Sequence, residues 1–176
     1  NLSKEHLLQQ LLYRKFAETE VKPKAADMDE AEKYDVSIMD KMAKFGMLGI
    51  PFPKEDGGSG ADTLSYVLCI EELAKVDAST ATACSVHTSL CTTAIGRFGT
   101  PEQKEKYYKP LASGKKYGCF GLTEPNAGTD AAGQQTVAVK EGDHYVLNGA
   151  KIFITNSGFS DIFLVFAMTD KSKGTK

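Results

Sequence analysis

The chain is poor in the residues that mark several common functions. Its 176 residues contain no tryptophan, three histidines and four cysteines. None of Cys69, Cys84, Cys91 and Cys119 forms a Cys-x-x-Cys pair, and none has a histidine at zinc-ligand spacing. A metal centre of the usual kinds is therefore excluded, and buried reduced thiols of an intracellular protein are expected. His6, His87 and His144 are scattered and read as surface or satisfied packing residues. No apolar run approaches the roughly 20 residues of a membrane span, and no basic, apolar and small-residue series opens the chain as a signal peptide would. The formal net charge of −2 gives no electrostatic case for nucleic acid or an acidic membrane surface. There is no Ser-His-Asp set, no Rossmann fingerprint and no P-loop.

What is present is an ordinary globular composition, 41% hydrophobic and 25% charged, at a length suited to one domain or two small ones. The first 115 residues read as helices. Ser3 caps a helix in which Leu7, Leu8, Leu11, Leu12 and Phe16 form one apolar face, fading around Val21 to Pro23. Lys24 to Lys33 is charged and reads as solvated. Val36 to Gly46 forms a second helix with Ile38, Met39, Met42, Ala43 and Phe45 buried. Leu48 to Gly60 is a loop; its Gly57, Gly58 and Gly60 lack phosphate-loop spacing, and a structural role is expected. Asp62 or Thr63 caps a third helix to about Val76, with Tyr66, Val67, Ile70, Leu73 and Ala74 on one side. A charge-poor helix from Ala78 to about Arg97 reads as buried and able to floor a pocket. Thr100, Pro101 and Gln103 form a capping box for a helix that ends at Gly114.

From Lys116 the period changes to that of strands. An apolar start from Tyr117 leads to Gln135–Val139, His144–Leu147, Lys151–Thr155 and Asp161–Met168, with turns at Glu141–Asp143 and Asn148–Gly149. The fold class expected is α+β: an N-terminal all-α bundle, residues 1–115, followed by an incomplete antiparallel, barrel-like β domain, residues 116–176. The start at Asn1 and the loop-like tail Thr169–Lys176 suggest a fragment.

Two polar interruptions stand out, Gly121–Asp130 and Phe153–Ser157. Each places a threonine, Thr123 or Thr155, at a strand end behind an aromatic, Phe120 or Phe153. As neighbours they would offer hydroxyls, free amides and aromatic faces to a flat heteroaromatic ligand. From spacing alone, ordinary turn capping by Thr and Asn is the favoured reading.

The stretches Cys-Phe-Gly-Leu-Thr-Glu-Pro-Asn-Ala-Gly-Thr-Asp (119–130) and Asn-Gly-Ala-Lys-Ile-Phe-Ile-Thr-Asn (148–156) resemble the flavin-binding signature of the acyl-CoA dehydrogenases. So do Ile70–Ser79, Phe98–Tyr107 and Gly57–Gly60, in family order and over essentially the whole chain, nearest the short-chain, butyryl-CoA type. The resemblance implies FAD as cofactor, held by Phe120, Gly121, Leu122, Thr123, Thr129, Phe153, Ile154 and Thr155. Thr129 would also meet the acyl-CoA thioester, and the Thr155 hydroxyl would lie near the hydride-accepting nitrogen. Many members have Trp where this chain has Phe153; an aromatic remains. The implied reaction removes an α proton with a carboxylate while the β hydride goes to FAD, leaving a trans double bond, with charge developing on the thioester carbonyl.

The family's base lies in a C-terminal helical domain outside these residues, so no catalytic residue is assigned here; Glu71, Glu72 and Glu124 read as structural. The resemblance further implies electron-transfer flavoprotein as partner, a homotetramer, and a bacterial cytoplasmic or mitochondrial-matrix location. Two alternatives stay open: an enoyl-CoA reductase working in reverse with such a flavoprotein, and a non-catalytic binding or oligomerisation module.

Overall fold

A computed structural model describes residues 2–173. The helical part comprises α1 (Lys4–Phe16), α2 (Lys22–Glu30), α3 (Ser37–Lys44), α4 (Thr63–Ala74), α5 (Ala78–Ser85), α6 (Thr93–Phe98), α7 (Pro101–Gln103) and α8 (Lys109–Ala112). Four strands follow: β1 (Gly118–Gly121), β2 (Val137–Glu141), β3 (His144–Asn148) and β4 (Ile162–Val165). Three π-helical segments, Ala17–Val21, Val86–Thr92 and Lys104–Tyr108, join α1 to α2, α5 to α6 and α7 to α8.

The helix starts follow from their caps. Ser3 accepts from the His6 amide at 3.1 Å, Asp62 from Ser65 at 2.8 Å and Asp77 from Thr80 at 2.8 Å. Each side chain satisfies an amide that the helix itself leaves unpaired. The Thr100–Gln103 capping box is formed. The first helix does not fade at Val21–Pro23. The π turn carries the chain into α2, where Pro23 occupies the first turn, in which a proline lacks no needed donor. The charged stretch expected to be solvated is therefore helical, and it buries no residue.

The leucine face of α1 points away from the core. Leu8 and Leu12 are more than 60% exposed, and only Phe16 of that row is buried. The opposite face wins because it carries the polar contacts to α4. Gln9 accepts from the Ser65 hydroxyl, while Gln10 and Arg14 donate to the buried Glu72. On α4 the buried face is likewise Leu68, Cys69 and Leu73 with Ser65 and Glu72, rather than Tyr66 and Val67. On α3 Ile38, Met39 and Met42 are fully buried, whereas Phe45 is largely exposed. The main core gathers Ile38, Met39, Met42, Leu48, Cys69, Leu73 and Cys84.

Gly114 turns the chain out of α8 with φ +70°, and Tyr117 leads into β1. The sheet region is small and open. The β2–β3 hairpin is antiparallel as expected, with Val137 opposite Asn148 and Glu141 opposite His144. The β1–β4 pair is parallel, Gly118 opposite Ile162 and Gly121 opposite Val165, which corrects a wholly antiparallel reading. Ala138 donates to Met168 O at 2.9 Å and Met168 donates to Thr136 O at 2.8 Å, tying the hairpin to the chain beyond β4.

Lys151–Thr155 is not a strand. Phe153 and Asn156 sit at φ +57° and +70°, a left-handed conformation that breaks an extended run. Lys171–Lys173 forms a short 3₁₀ turn within the expected tail, whose last residues, 174–176, lie outside the described residues. The Gly57–Gly60 loop is structural: Gly60 donates to Phe52 O at 2.8 Å, and a Cβ on Gly58 would lie 2.3 Å from that same oxygen.

Candidate functional site

The end of β1 lies between two neighbours. On one side Phe166 donates to Gly121 O at 3.0 Å, continuing the parallel pairing. On the other, Ile152 donates to Thr123 O at 2.9 Å. That second bond brings together the two polar interruptions seen in the sequence. A tight turn follows Thr123, closed by reciprocal bonds between Glu124 and Ala127 of 3.0 and 3.1 Å.

Phe120 stacks at a tilt on Phe166, ring centres 5.1 Å apart. Gly121 is buried, while Leu122 and Thr123 are half-buried. Across the seam Ile154 and Thr155 are half-buried, and Phe153 projects outward, 86% exposed, from its left-handed backbone. Among the described residues, the amides of Leu122, Thr123, Phe153, Ile154 and Thr155 and the hydroxyls of Thr123 and Thr155 have no hydrogen-bond partner. The result is a row of donors with an exposed aromatic beside it. Thr129 is exposed beyond the turn; no hydrogen bond ties it to the Ile152–Thr155 segment.

A cavity of about 380 Å³ opens where Thr155 and Asn156 meet α5, walled by Thr82, Ala83, Tyr34 and Phe159. Asn156 is buried and donates to Ala83 O at 2.9 Å and Gly118 O at 3.3 Å, joining α5, β1 and the seam. Its Oδ1 and the Tyr34 hydroxyl have no partner among the described residues. Burial raises the Tyr34 hydroxyl's pKa well above its usual value. Beneath β1, His87 is buried and uses both ring nitrogens, one facing Leu111 O and one facing the Gly118 amide.

The three glutamates considered as candidate bases are held in ion pairs. Glu71 pairs with Lys75 at 2.8 Å. Glu72 bonds Arg14, Lys75 and Gln10, and Arg14 chiefly holds its carboxyl down at about 2. Glu124 accepts from the Gln135 and Thr136 amides and from Lys151, and the Gln135 amide first of all keeps its carboxyl at about 2. The four cysteines are buried and free, and the described residues contain no cluster of three metal-ligating groups. Among the described residues no helix is long and apolar enough to cross a membrane.

Sequence reasoning did not single out Lys151 or Tyr34. Lys151 carries one signal, a lone cation directly before an apolar triplet. Tyr34 carries none, because only the folded chain brings it near Asn156.

These features define an α+β protein in which a helical bundle meets a small open sheet along a donor-rich seam. The chain belongs to the acyl-CoA dehydrogenase family. The family's N-terminal domain matches residues 3–115 and its middle domain residues 119–176. The short-chain specific acyl-CoA dehydrogenase of Clostridium acetobutylicum is 58% identical over the whole chain, which spans 46% of that relative. Butyryl-CoA dehydrogenase from Megasphaera elsdenii superimposes with a TM-score of 0.93 at 49% identity, over 99% of this chain and 46% of that one. A structure described for the electron transferring flavoprotein of Acidaminococcus fermentans gives 0.95 at 51%, again over 99% and 46%. The chain thus spans about half the length of the curated relatives it matches.

Proposed function

We propose that residues 1–115 and 116–176 are the N-terminal domain and the first part of the middle domain of an FAD-dependent acyl-CoA dehydrogenase acting on short-chain acyl-CoA. The observation that carries this reading is the Ile152–Thr123 hydrogen bond, which sets the two signature segments side by side. Among the described residues the amides of Leu122, Thr123, Ile154 and Thr155 are unpaired donors, which suits a flat, acceptor-rich ring system. Phe153 is an aromatic available to cover one face of it. The residues present therefore fit a flavin.

Bound FAD supplies a two-electron acceptor for the substrate's β-hydrogen. The chain's own residues bind and orient. Phe120, Gly121, Leu122 and Thr123 form one wall of the seam, and Phe153, Ile154 and Thr155 the other. Thr129, exposed beyond the turn, is free to meet the thioester end of the substrate. The family resemblance implies that the proton-abstracting carboxylate lies in a C-terminal helical domain outside residues 1–176; Glu71, Glu72 and Glu124 are each committed to ion pairs. Electron-transfer flavoprotein is the proposed electron acceptor and a homotetramer the proposed assembly. The proposed location is the cytoplasm of a bacterium or the mitochondrial matrix of a eukaryote.

The test is spectroscopic. The full-length protein carrying this chain should purify yellow and bleach when butyryl-CoA is added without oxygen. A colourless protein that takes up no FAD, or a flavoprotein that butyryl-CoA leaves unbleached, would overturn the reading.

A further inference from the structure

Beside the seam lies a buried polar knot. Lys151 Nζ, 11% exposed, donates to Leu122 O at 2.8 Å, Glu124 Oε1 at 2.7 Å and Gln134 Oε1 at 3.1 Å. An ammonium has three N–H donors, and all three are used. Glu124, 5% exposed, also accepts from the Gln135 and Thr136 amides at 2.5 and 3.0 Å. Two side chains thus hold four pieces of backbone: the end of β1, the turn after it, the approach to β2 and the segment that contains Phe153 and Thr155.

We propose that Lys151, paired with Glu124, is the positioning residue of the cofactor seam: it locks the Leu122–Thr123 strand end against the Ile152–Thr155 segment and so keeps their donors aligned.

Apart from the knot, one backbone hydrogen bond, Ile152 to Thr123, joins the two segments directly, while Asn156 anchors the far end of the run to Gly118 O and Ala83 O. Next to Leu122 a single bond leaves a hinge about its own axis. Lys151 adds a second attachment one residue earlier on each side, to Leu122 O, and two attachments remove the rotation. Phe153, left-handed and outside any strand pairing, needs that restraint, whereas Asn156 is held by its own bonds to Ala83 O and Gly118 O. The burial points the same way. A buried ion pair adds little net stability over a well-packed apolar pair, but it fixes geometry when each ammonium proton and both carboxylate oxygens have partners, as here. Use of this seam for FAD rests on the function proposed above; the locking itself does not.

The test compares Lys151→Met with the wild type in the full-length protein. Two readouts are used: the FAD dissociation constant by flavin fluorescence, and amide hydrogen exchange without FAD. Exchange at Ile152, Gln135 and Thr136 should quicken at least tenfold while α4 stays within twofold, and the FAD dissociation constant should rise at least tenfold. Gln134→Leu removes one of the three acceptors and should give the same pattern at smaller amplitude, which covers a Lys151→Met protein that fails to fold. Unchanged exchange at the three amides, unchanged FAD affinity, or equal quickening in α4 would overturn the proposal. A wild type that binds no FAD would sink the cofactor reading, while exchange confined to the seam would still uphold the locking.

Discussion

His87 and Gly118 are joined by a hydrogen bond in which a fully buried imidazole is the acceptor: the Gly118 amide donates to Nδ1 at 3.2 Å. The other nitrogen, Nε2, lies 3.1 Å from Leu111 O and must donate there. The ring is therefore the neutral Nε2–H tautomer, and it ties the first residue of β1 to the last turn of the helical part. The π-helical segment Val86–Thr92 carries it, braced by Thr92 donating to His87 O at 2.7 Å.

This geometry predicts acid sensitivity. Burial lowers the His87 pKa from 6.5 to about 4. Protonation would put a hydrogen where Gly118 donates. A histidine with a lowered folded pKa contributes stability that is complete above its unfolded value and is lost as pH falls through the folded value. Melting of the full-length protein should therefore show stability falling between about pH 6.5 and pH 4, by roughly 3 kcal/mol from a shift of that size. In His87→Gln this window should flatten. A wild-type curve flat across it would show that the ring protonates without cost.

The buried Glu72 predicts a second loss. It receives Arg14 through two nitrogens, at 2.9 and 3.0 Å, with Lys75 and Gln10 completing the set. Glu72→Ala should destabilise by about 1–3 kcal/mol, because Arg14 and Lys75 are half exposed and can rehydrate. Arg14→Ala added to Glu72→Ala should cost little more. Urea unfolding of the two variants checks both statements, and additive losses would mean that the residues act independently.

Gly114 predicts a backbone effect. Its φ is +70°, and an added Cβ would lie 2.7 Å from the Ala43 Cβ. Gly114→Ala should therefore cost about 1–3 kcal/mol, from left-handed strain plus a steric shift in α3. By contrast, nothing lies within 4 Å of a Cβ added at Gly128. Gly128→Ala should leave the melting temperature within about 1 °C, the expectation for an open surface position.

Much of the fold is legible where a single residue type has a local job. Asp62, Asp77 and Thr100 each announce a helix start because a side-chain oxygen must meet an orphan amide two or three residues on. The two signature segments are legible as polar breaks in apolar runs. What could not be read depends on partners far along the chain. The inward face of α1 is chosen by Arg14 and Gln10 reaching Glu72, about 60 residues away, against the pull of four leucines. Lys151 meets Glu124 across 27 positions. The left-handed turn at Phe153 contradicts its own β propensity, and the parallel β1–β4 pairing has no local mark. Both belong to the seam, where local rules give way to the geometry of the site.

The seam itself carries the last prediction. Thr123 and Thr155 each offer a hydroxyl without a partner among the described residues, so removing either should cost little stability. A hydroxyl that bonds the cofactor should, when removed, weaken FAD binding by about five- to tenfold, the worth of one neutral hydrogen bond. Thr155→Ala should also slow bleaching by butyryl-CoA more than Thr123→Ala does if, as proposed, the Thr155 hydroxyl lies near the hydride-accepting nitrogen. Phe153→Ala should weaken binding further through the lost aromatic face, and Phe153→Trp should restore it, since the residue is exposed and has room for the larger ring. Flavin fluorescence gives the affinities and stopped-flow absorbance the bleaching rates. Wild-type affinity in both threonine variants would mean that the ring is held by the backbone amides alone.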